Sequence, residues 1–165
     1  MNDTSKQLRE RSFAFALRIV KLVHVLESGS HEWVLSRQLL KSGTSIGANI
    51  REARFAQSNS DFVSKLSIAL KEGEETAYWL ELLHAAGSIP KEEFDSLSQE
   101  VNWLIGTLVN VVKACKNKTS ELRPRSGHLS GEAAHFTASA TPPANWRVLP
   151  SKESPTAQTG LPAAR

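Results

Sequence analysis

The chain has 165 residues, and its 20 Lys and Arg against 17 Asp and Glu give a net charge of +3 and a pI of about 9.2. This length suits one domain, and so small an excess of positive charge does not by itself indicate nucleic-acid binding. The single cysteine, Cys115, excludes a disulfide framework and a cysteine-rich zinc site. A polar amino terminus and the lack of an apolar run of about 20 residues favour a cytoplasmic protein without a membrane segment.

The first periodic segment covers residues 5–28 and predicts an amphipathic helix. One apolar stripe recurs at spacings of three, four and seven, and a second set of apolar residues is expected to widen it. The main stripe is Leu8, Phe15, Ile19, Leu22 and Leu26; the widening set is Phe13, Leu17, Val20 and Val23. The Ser28-Gly29-Ser30 segment is typical of a helix end followed by a new helix start.

The second segment, residues 31–57, carries a stripe in which apolar and small or amide side chains alternate. Its members are Leu35, Leu39, Ser42, Ile46, Asn49 and Ala53. Residues 42–45 have turn composition, but the apolar phase continues across them and favours one helix. Each glycine costs a helix about 1 kcal/mol relative to Ala, so we expect another helix to pack closely here. The predicted packing seam consists of Ser42, Gly43, Ile46, Gly47 and Asn49, with Gly73 on the third helix.

Two further helices follow, separated by turn residues. A break at residues 58–61 precedes helix 3, and Ala86-Gly87-Ser88 ends it. Pro90 suits the first turn of helix 4, which continues to about Lys118 with an apolar seam of its own. Four helices with short connections predict an all-α fold, an antiparallel up-down-up-down four-helix bundle over residues 1–118.

Residues 119–165 differ in composition from the rest of the chain. They are rich in Ser, Thr, Ala and Gly, include six of the seven prolines and show no periodicity. Such low complexity predicts a disordered tail. Its one apolar cluster, Trp146 to Leu149, has two open interpretations, a docking motif or an incidental apolar spot.

Two short sequence patterns resemble catalytic or metal-binding motifs. Glu81 and His84 form one ExxH pair, but a carboxylate-bridged metal site needs a second pair and partner glutamates. Arg18 and His24 match the loose Arg-x(4–6)-His spacing of helical-bundle ribonucleases, although six residues turn a helix by about 600° and separate the two side chains. The sequence therefore predicts a non-enzymatic protein with no metal and no cofactor.

Basic residues on the first two helices predict a binding surface for phosphates. The candidate nucleic-acid-binding residues are Arg11, Arg18, Lys21, Arg37, Lys41 and Arg54. Intramolecular or intersubunit ion pairing is the alternative, and it is favoured for Arg51 with a glutamate of helix 3. The candidate ion-pair residues are Arg51, Glu52, Glu72 and Glu75.

Four large aromatic residues lie off or at the margin of the inner stripes. They are Trp33, Tyr78, Trp79 and Trp103. Amphipathic rings at such positions are typical of subunit interfaces, and a wide core is the other interpretation.

Two long motifs, QLLKSGTSIGANIREA at residues 38–53 and FVSKLSIALKEGEETAYWLELL at residues 62–83, resemble the four-helix-bundle family of 23S rRNA intervening-sequence proteins. The resemblance covers about residues 8–116. It implies a bacterial bundle similar to members that form ring-like homopentamers, and it carries no catalytic residue. A related branch, the accessory variability proteins of diversity-generating retroelements, consists of basic pentamers that bind a reverse transcriptase and nucleic acid. Residues 1–118 of this chain are nearly neutral, with 15 basic and 14 acidic residues.

These observations lead to one main functional hypothesis. The protein is expected to be a self-associating adaptor, as a pentamer, that binds RNA or a nucleic-acid enzyme such as a reverse transcriptase. A scaffold that binds only proteins is the alternative, followed by a helical-bundle ribonuclease.

Overall fold

The structure, a computed structural model, describes residues 3–29 and 33–121, with side chains as far as Asn117. These residues form four helices: α1 (Asp3–Gly29), α2 (Trp33–Ala53), α3 (Asn59–Ala85) and α4 (Lys91–Glu121). No strand occurs in the described ranges. The all-α, four-helix prediction is confirmed.

Consecutive helices pack side by side and antiparallel. Gly43 of α2 lies against Ile19 of α1, and Gly47, one turn further along α2, lies against Ser12, which is seven residues earlier in α1. α2 packs on α3 and α3 on α4, and the sparser contact of α4 with α1 closes the bundle. At 1.5 Å per residue, the 27-residue helix α1 is about 40 Å long.

The core is a continuous apolar cluster drawn from all four helices. Its largest fully buried side chains include Phe15, Phe62, Leu8, Ile19, Ile46, Leu80 and Leu97. On α1 the predicted widening of the stripe is wrong at two positions, because Phe13 is 56% exposed and Leu17 is 47% exposed. Ser5 and Ser12 are buried instead, and the backbone of Ser12 lies against Gly47 of α2.

The turn between α2 and α3 begins earlier than predicted. The α-helical backbone of α2 ends at Ala53, not at residue 57, and the amides of Arg54, Phe55 and Ala56 bond to carbonyls three residues back. The hydroxyl of Ser58 then accepts a hydrogen bond from the Asp61 amide and caps α3. Phe55 is therefore in a turn, with its ring directed outward.

Helix α3 ends at Ala85, just before the predicted end at residues 86–88, and Gly87 has a left-handed backbone conformation. Gly87 has φ of 77°, and the amides of Gly87 and Ser88 bond to the carbonyls of His84 and Leu83. This is the Schellman arrangement that commonly ends helices. Pro90 lies just before α4, and its carbonyl accepts the first helical hydrogen bond, from Phe94.

The predicted boundary with the tail falls within α4. The helix continues to Glu121, three residues into the segment assigned to the tail. The remaining predicted tail, including the apolar cluster from Trp146 to Leu149, lies outside the described residues.

Candidate nucleic-acid interface

The close packing of α1 and α2 fixes which face of α2 points outward. A Cβ atom added at Gly43 would lie 2.9 Å from Ile19 Cγ1, and one at Gly47 would lie 3.4 Å from the Ser12 carbonyl oxygen. Ser42 is fully buried, and its hydroxyl donates to the carbonyl of Gln38. With this side against α1 and the core, the opposite side of α2 is exposed to solvent.

Two small residues of the predicted seam lie elsewhere in the packing. Asn49 is half-buried and donates its side-chain amide to the Ser45 carbonyl, within its own helix. Gly73 is buried on α3, where an added Cβ would lie 3.0 Å from Ile105 Cγ1 of α4. The glycines therefore serve two helix contacts, α1 with α2 and α3 with α4.

The outward side of α2 forms a stripe that we call the α2 stripe. Its members are Arg37, Lys41, Thr44, Ala48, Arg51 and Phe55. From Arg37 to Arg51, fourteen residues further along the helix, the stripe extends about 21 Å at helical rise. The only acidic residue of α2 is Glu52, and its carboxylate contacts Lys65 Nζ of α3 at 2.6 Å. The α2 stripe itself therefore holds three basic side chains, Arg37, Lys41 and Arg51, and no acidic one.

At the end of the bundle that holds the α2–α3 turn, arginine and phenylalanine side chains form an Arg–Phe cluster. The Arg51 guanidinium carbon lies 5.0 Å from the centroid of the Phe13 ring, and that of Arg54 lies 5.7 Å from the centroid of Phe55. Arg9 completes the cluster, because the positive charge of Arg54 acts on it. Burial, first, and the Arg54 charge, second, lower the pKa of Arg9, while the carboxylate of Glu10 acts in the opposite direction.

Two of the predicted phosphate-binding arginines face α4. The Arg18 guanidinium contacts Glu93 Oε1 at 3.0 Å and Glu100 Oε2 at 3.3 Å. Arg11 lies over the Trp103 ring, 3.7 Å from its centroid. Both side chains close the sparse contact between α1 and α4, and the charge of Arg18 is balanced there. We therefore remove Arg18 from the candidate phosphate-binding residues.

The other predicted phosphate-binding residues lie on α1, on α2 and in the α2–α3 turn. Lys21, Arg37 and Lys41 are exposed, and Arg54 is half-buried. The Nε atom of Arg54 is buried and has no hydrogen-bond partner among the described residues.

The observed ion pairs differ from the expected ones. Arg51 contacts the Phe13 ring of α1 instead of a carboxylate of α3 in the same chain. Glu52 pairs with Lys65, and the hydrogen bond between them raises the pKa of Lys65. Glu75 accepts a hydrogen bond from Trp79 Nε1 at 3.1 Å, and the Oε2 atom of Glu72 is buried without a partner among the described residues.

The four candidate interface aromatics divide into two groups. Trp79 and Trp103 are half-buried and pack against the core of their own chain. Trp33 and Tyr78 are 47% and 54% exposed. The wide-core interpretation therefore describes the first pair, and the second pair remains accessible for contact with another molecule.

Residues 5–110 match the family described as 23S rRNA-intervening sequence protein. The chain belongs to this family. A crystal structure of a protein of unknown function, from the S23 ribosomal protein family of Bacteroides thetaiotaomicron VPI-5482, shares 45% sequence identity with it. That structure aligns with a TM-score of 0.66, over 67% of this chain and 98% of the other. No curated protein matches the chain.

Neither the 23S rRNA-intervening sequence family nor this structural relative indicates an enzymatic activity. Over the described residues, no three His, Cys, Asp or Glu side chains lie together as metal ligands. His84 stacks on Phe94 with ring centroids 4.5 Å apart, and its Nδ1 lies 3.1 Å from the Ile89 carbonyl oxygen. Arg18 contacts α4, whereas His24 is exposed on another side of α1, so the ribonuclease-like pair is not brought together.

None of the described helices of this 23S rRNA-intervening sequence family member combines the length and apolar character needed to cross a membrane.

The bundle is nearly neutral as a whole, but its charges are unevenly distributed. Residues 1–58, which include α1 and α2, contain nine Lys and Arg against five Asp and Glu. Residues 59–118, which form most of α3 and α4, contain six against nine. One side of the bundle is therefore basic and the opposite side acidic.

The sequence did not indicate Arg9 as a site residue, and it placed Phe55 on the helical stripe of α2 and not in a turn. Arg9 belongs to a helix on which other arginines align better, and Phe55 was assigned to the end of a continuous helix. The signal for Arg9 lies in the antiparallel register, which brings residue 9 of α1 beside residue 54. This register depends on which helices are neighbours, and that becomes visible only in the folded chain.

Proposed function

We propose that the protein is a non-enzymatic, self-associating adaptor that binds RNA through the α1–α2 side of the bundle. The observation that carries the proposal is the separation of charge between the two sides. A stripe whose basic residues Arg37 and Arg51 lie about 21 Å apart, with no acidic member, suits a phosphate backbone, whose charges favour binding at low salt. Self-association would place several such stripes on one particle and strengthen a weak individual contact.

Exposed apolar residues at the other end of the bundle support self-association. Val25, Trp33 and Val34 flank the connection between α1 and α2, and Tyr78 lies about two turns before the end of α3. Because α2 and α3 are antiparallel, all four lie toward the same end, away from the Arg–Phe cluster. Contacts between copies here would leave the α2 stripe accessible. A homopentamer is the assembly that we propose, in line with the resemblance to ring-forming bundles.

A protein scaffold without affinity for nucleic acid is the second candidate. It is favoured by the exposed rings of Phe13 and Phe55, because apolar side chains beside arginines also suit a protein interface. A reverse transcriptase or another nucleic-acid enzyme is a partner that the adaptor function would accommodate.

The test is a titration of the purified protein against a labelled structured RNA across a salt series, with its mass measured by light scattering in the same buffer. We expect an oligomer whose affinity falls steeply with salt. Replacing Arg37 and Lys41 by Ala should weaken binding and lower the slope of log Kobs against log salt by about one for each lost phosphate contact.

The matched control replaces Lys113 and Lys116, exposed lysines of α4, by Ala. This variant loses the same charge from the other side of the bundle and should keep the wild-type slope. An oligomer without RNA affinity at low salt would refute the RNA-binding function and support the protein scaffold.

A further inference from the structure

The Arg–Phe cluster combines two kinds of side chain to which single-stranded nucleic acids bind, aromatic rings and guanidinium groups. Two phenylalanine rings are largely exposed, Phe13 at 56% and Phe55 at 72%. A guanidinium group lies near each ring, from Arg51 and Arg54 respectively. Exposed rings offer stacking surfaces for bases, and the neighbouring guanidinium groups offer donors for phosphate oxygens.

Neither Arg51 nor Arg54 of the cluster forms an ion pair with a carboxylate of the described residues. Glu10, the carboxylate that acts on Arg9, is within 3.9 Å of Lys6 Nζ, and Glu52 contacts Lys65 on the far side of α2. The like charge of Arg54 acts on Arg9 and, after burial, lowers the pKa of Arg9. Bringing like charges together costs free energy, which a bound anion would recover.

The buried Nε atom of Arg54 points to the same conclusion. It has no hydrogen-bond partner among the described residues, although guanidinium nitrogens out of contact with water ordinarily donate. The Phe55 ring lies 5.7 Å from this guanidinium, and its charge acts on Arg9 of α1. An oxygen ligand would reach Nε once the Arg54 side chain moves, and it would then supply the acceptor that the described residues do not supply.

The segment that follows α4 does not have the negative charge needed to bind to the Arg–Phe cluster. Residues 122–165 contain five Lys and Arg against two Asp and Glu, so this segment carries the same sign as the cluster. The acidic α3–α4 side of a second copy has the right sign. Such a contact would bury the exposed Phe55 ring against helix surface, and it would be visible as a change in mass.

We propose that the Arg–Phe cluster binds one unpaired nucleotide of a single-stranded RNA, with the base stacked on Phe55 and the phosphate held by Arg51 and Arg54. The proposal rests on the proposed RNA-binding function and names the form of RNA that this end of the bundle prefers. Bases in a duplex are stacked on each other and do not offer their faces to Phe55. The cluster therefore favours unpaired over paired RNA, whereas Arg37 and Lys41 contact phosphates of either form.

The experiment compares a labelled single-stranded 12-nucleotide oligouridine with a blunt RNA duplex of the same length, each titrated across a salt series. Phe55→Leu should lower the affinity for the single strand by about five- to tenfold, near the lower end of the effect of base stacking on an aromatic residue, and leave the duplex affinity unchanged. Phe55→Trp should keep the single-strand affinity, since it preserves an aromatic face. Arg54→Gln should weaken single-strand binding and lower its salt slope by about one.

The control is Ile68→Ala, which shortens an exposed apolar side chain of α3 outside both proposed contacts and should leave both affinities unchanged. Phe55 is in a solvent-exposed turn, so the Leu variant should retain wild-type helicity and melting temperature. Light scattering of every variant completes the measurement.

Three results would overturn the inference, and each leads to a different conclusion about the cluster and the proposed function. If Arg37→Ala with Lys41→Ala weakens RNA binding while Phe55→Leu equals wild type, the cluster is not a base site and the proposed function stands. If wild type binds neither RNA at low salt, the proposed function fails as well. If Phe55→Leu and Arg54→Gln reduce the mass without changing RNA affinity, the cluster is a contact between copies.

Discussion

Gly43 and Gly47 share one helix face, but their surroundings are different. Around Gly43, three carbon atoms of the branched Ile19 side chain lie within 3.3 Å of the place where a Cβ would be. At Gly47 the nearest atom is the Ser12 carbonyl oxygen at 3.4 Å, which is ordinary contact for a methyl group. The helix therefore requires glycine at the first position and tolerates alanine at the second.

Substitution of each glycine by Ala should consequently have opposite effects on stability. Ala raises helix propensity by about 1 kcal/mol at either position, whereas overpacking against Ile19 costs about 1–3 kcal/mol. We expect Gly43→Ala to lower the free energy of unfolding by about 1 kcal/mol, and Gly47→Ala to leave it unchanged or raise it. Thermal denaturation followed by circular dichroism measures both; equal melting temperatures for the two variants would contradict close packing at Gly43.

At the scale of the element, the start of α3 depends on a reciprocal pair of hydrogen bonds. Ser58 Oγ accepts from the Asp61 amide at 3.1 Å, and Asp61 Oδ2 accepts from the Gln57 amide at 3.1 Å. The two bonds satisfy amides that a helix start leaves without partners. They also hold the turn that carries Arg54 and Phe55.

Loss of this cap should destabilise the helix and the neighbouring site together. Ser58→Ala should lower the free energy of unfolding by about 1 kcal/mol, because an orphan amide loses its acceptor. Ser60, exposed in the first turn of α3, offers the comparison, since Ser60→Ala removes a hydroxyl outside the capping pair. Urea denaturation distinguishes the two, and a midpoint for Ser58→Ala equal to that of Ser60→Ala would show that the cap contributes nothing.

At the scale of the whole molecule, the basic surface proposed to bind RNA and the apolar surface proposed for self-association lie in different places. The Arg–Phe cluster lies at the end with the α2–α3 turn, and Trp33 with Tyr78 lies toward the other end. A polar substitution at the second end should therefore change the assembly without changing the basic stripe.

Trp33→Lys with Tyr78→Lys should reduce the mass in solution toward that of one chain, because charged side chains at an apolar contact lose their hydration without a partner. The helical content should remain, since both side chains are largely exposed. Light scattering gives the mass. The same charge change at exposed Asn102 and Asn110 of α4, each replaced by Lys, serves as the control. A wild-type mass for the Trp33 and Tyr78 variant would place the contact between copies elsewhere.

Much of the architecture could be predicted from the sequence, because apolar residues at spacings of three and four specify helices and glycine specifies their ends. The four helices, the α3 cap at Ser58 and the left-handed Gly87 all follow from such local rules. The same rules failed at Phe13 and Leu17, since apolar character alone does not say how closely a neighbouring helix approaches. They also failed at the end of α2, where turn hydrogen bonds replace the helical ones.

The sequence by itself therefore determined the helices, their order and the basic character of α2. Only the tertiary structure decided how each charge is used: Arg18 is balanced by two glutamates of α4, whereas Arg9, Arg51 and Arg54 meet around exposed phenylalanines. The reason is geometric, because a charged residue on a helix reaches whichever helix lies beside it. Periodicity within one helix carries no information about that neighbour.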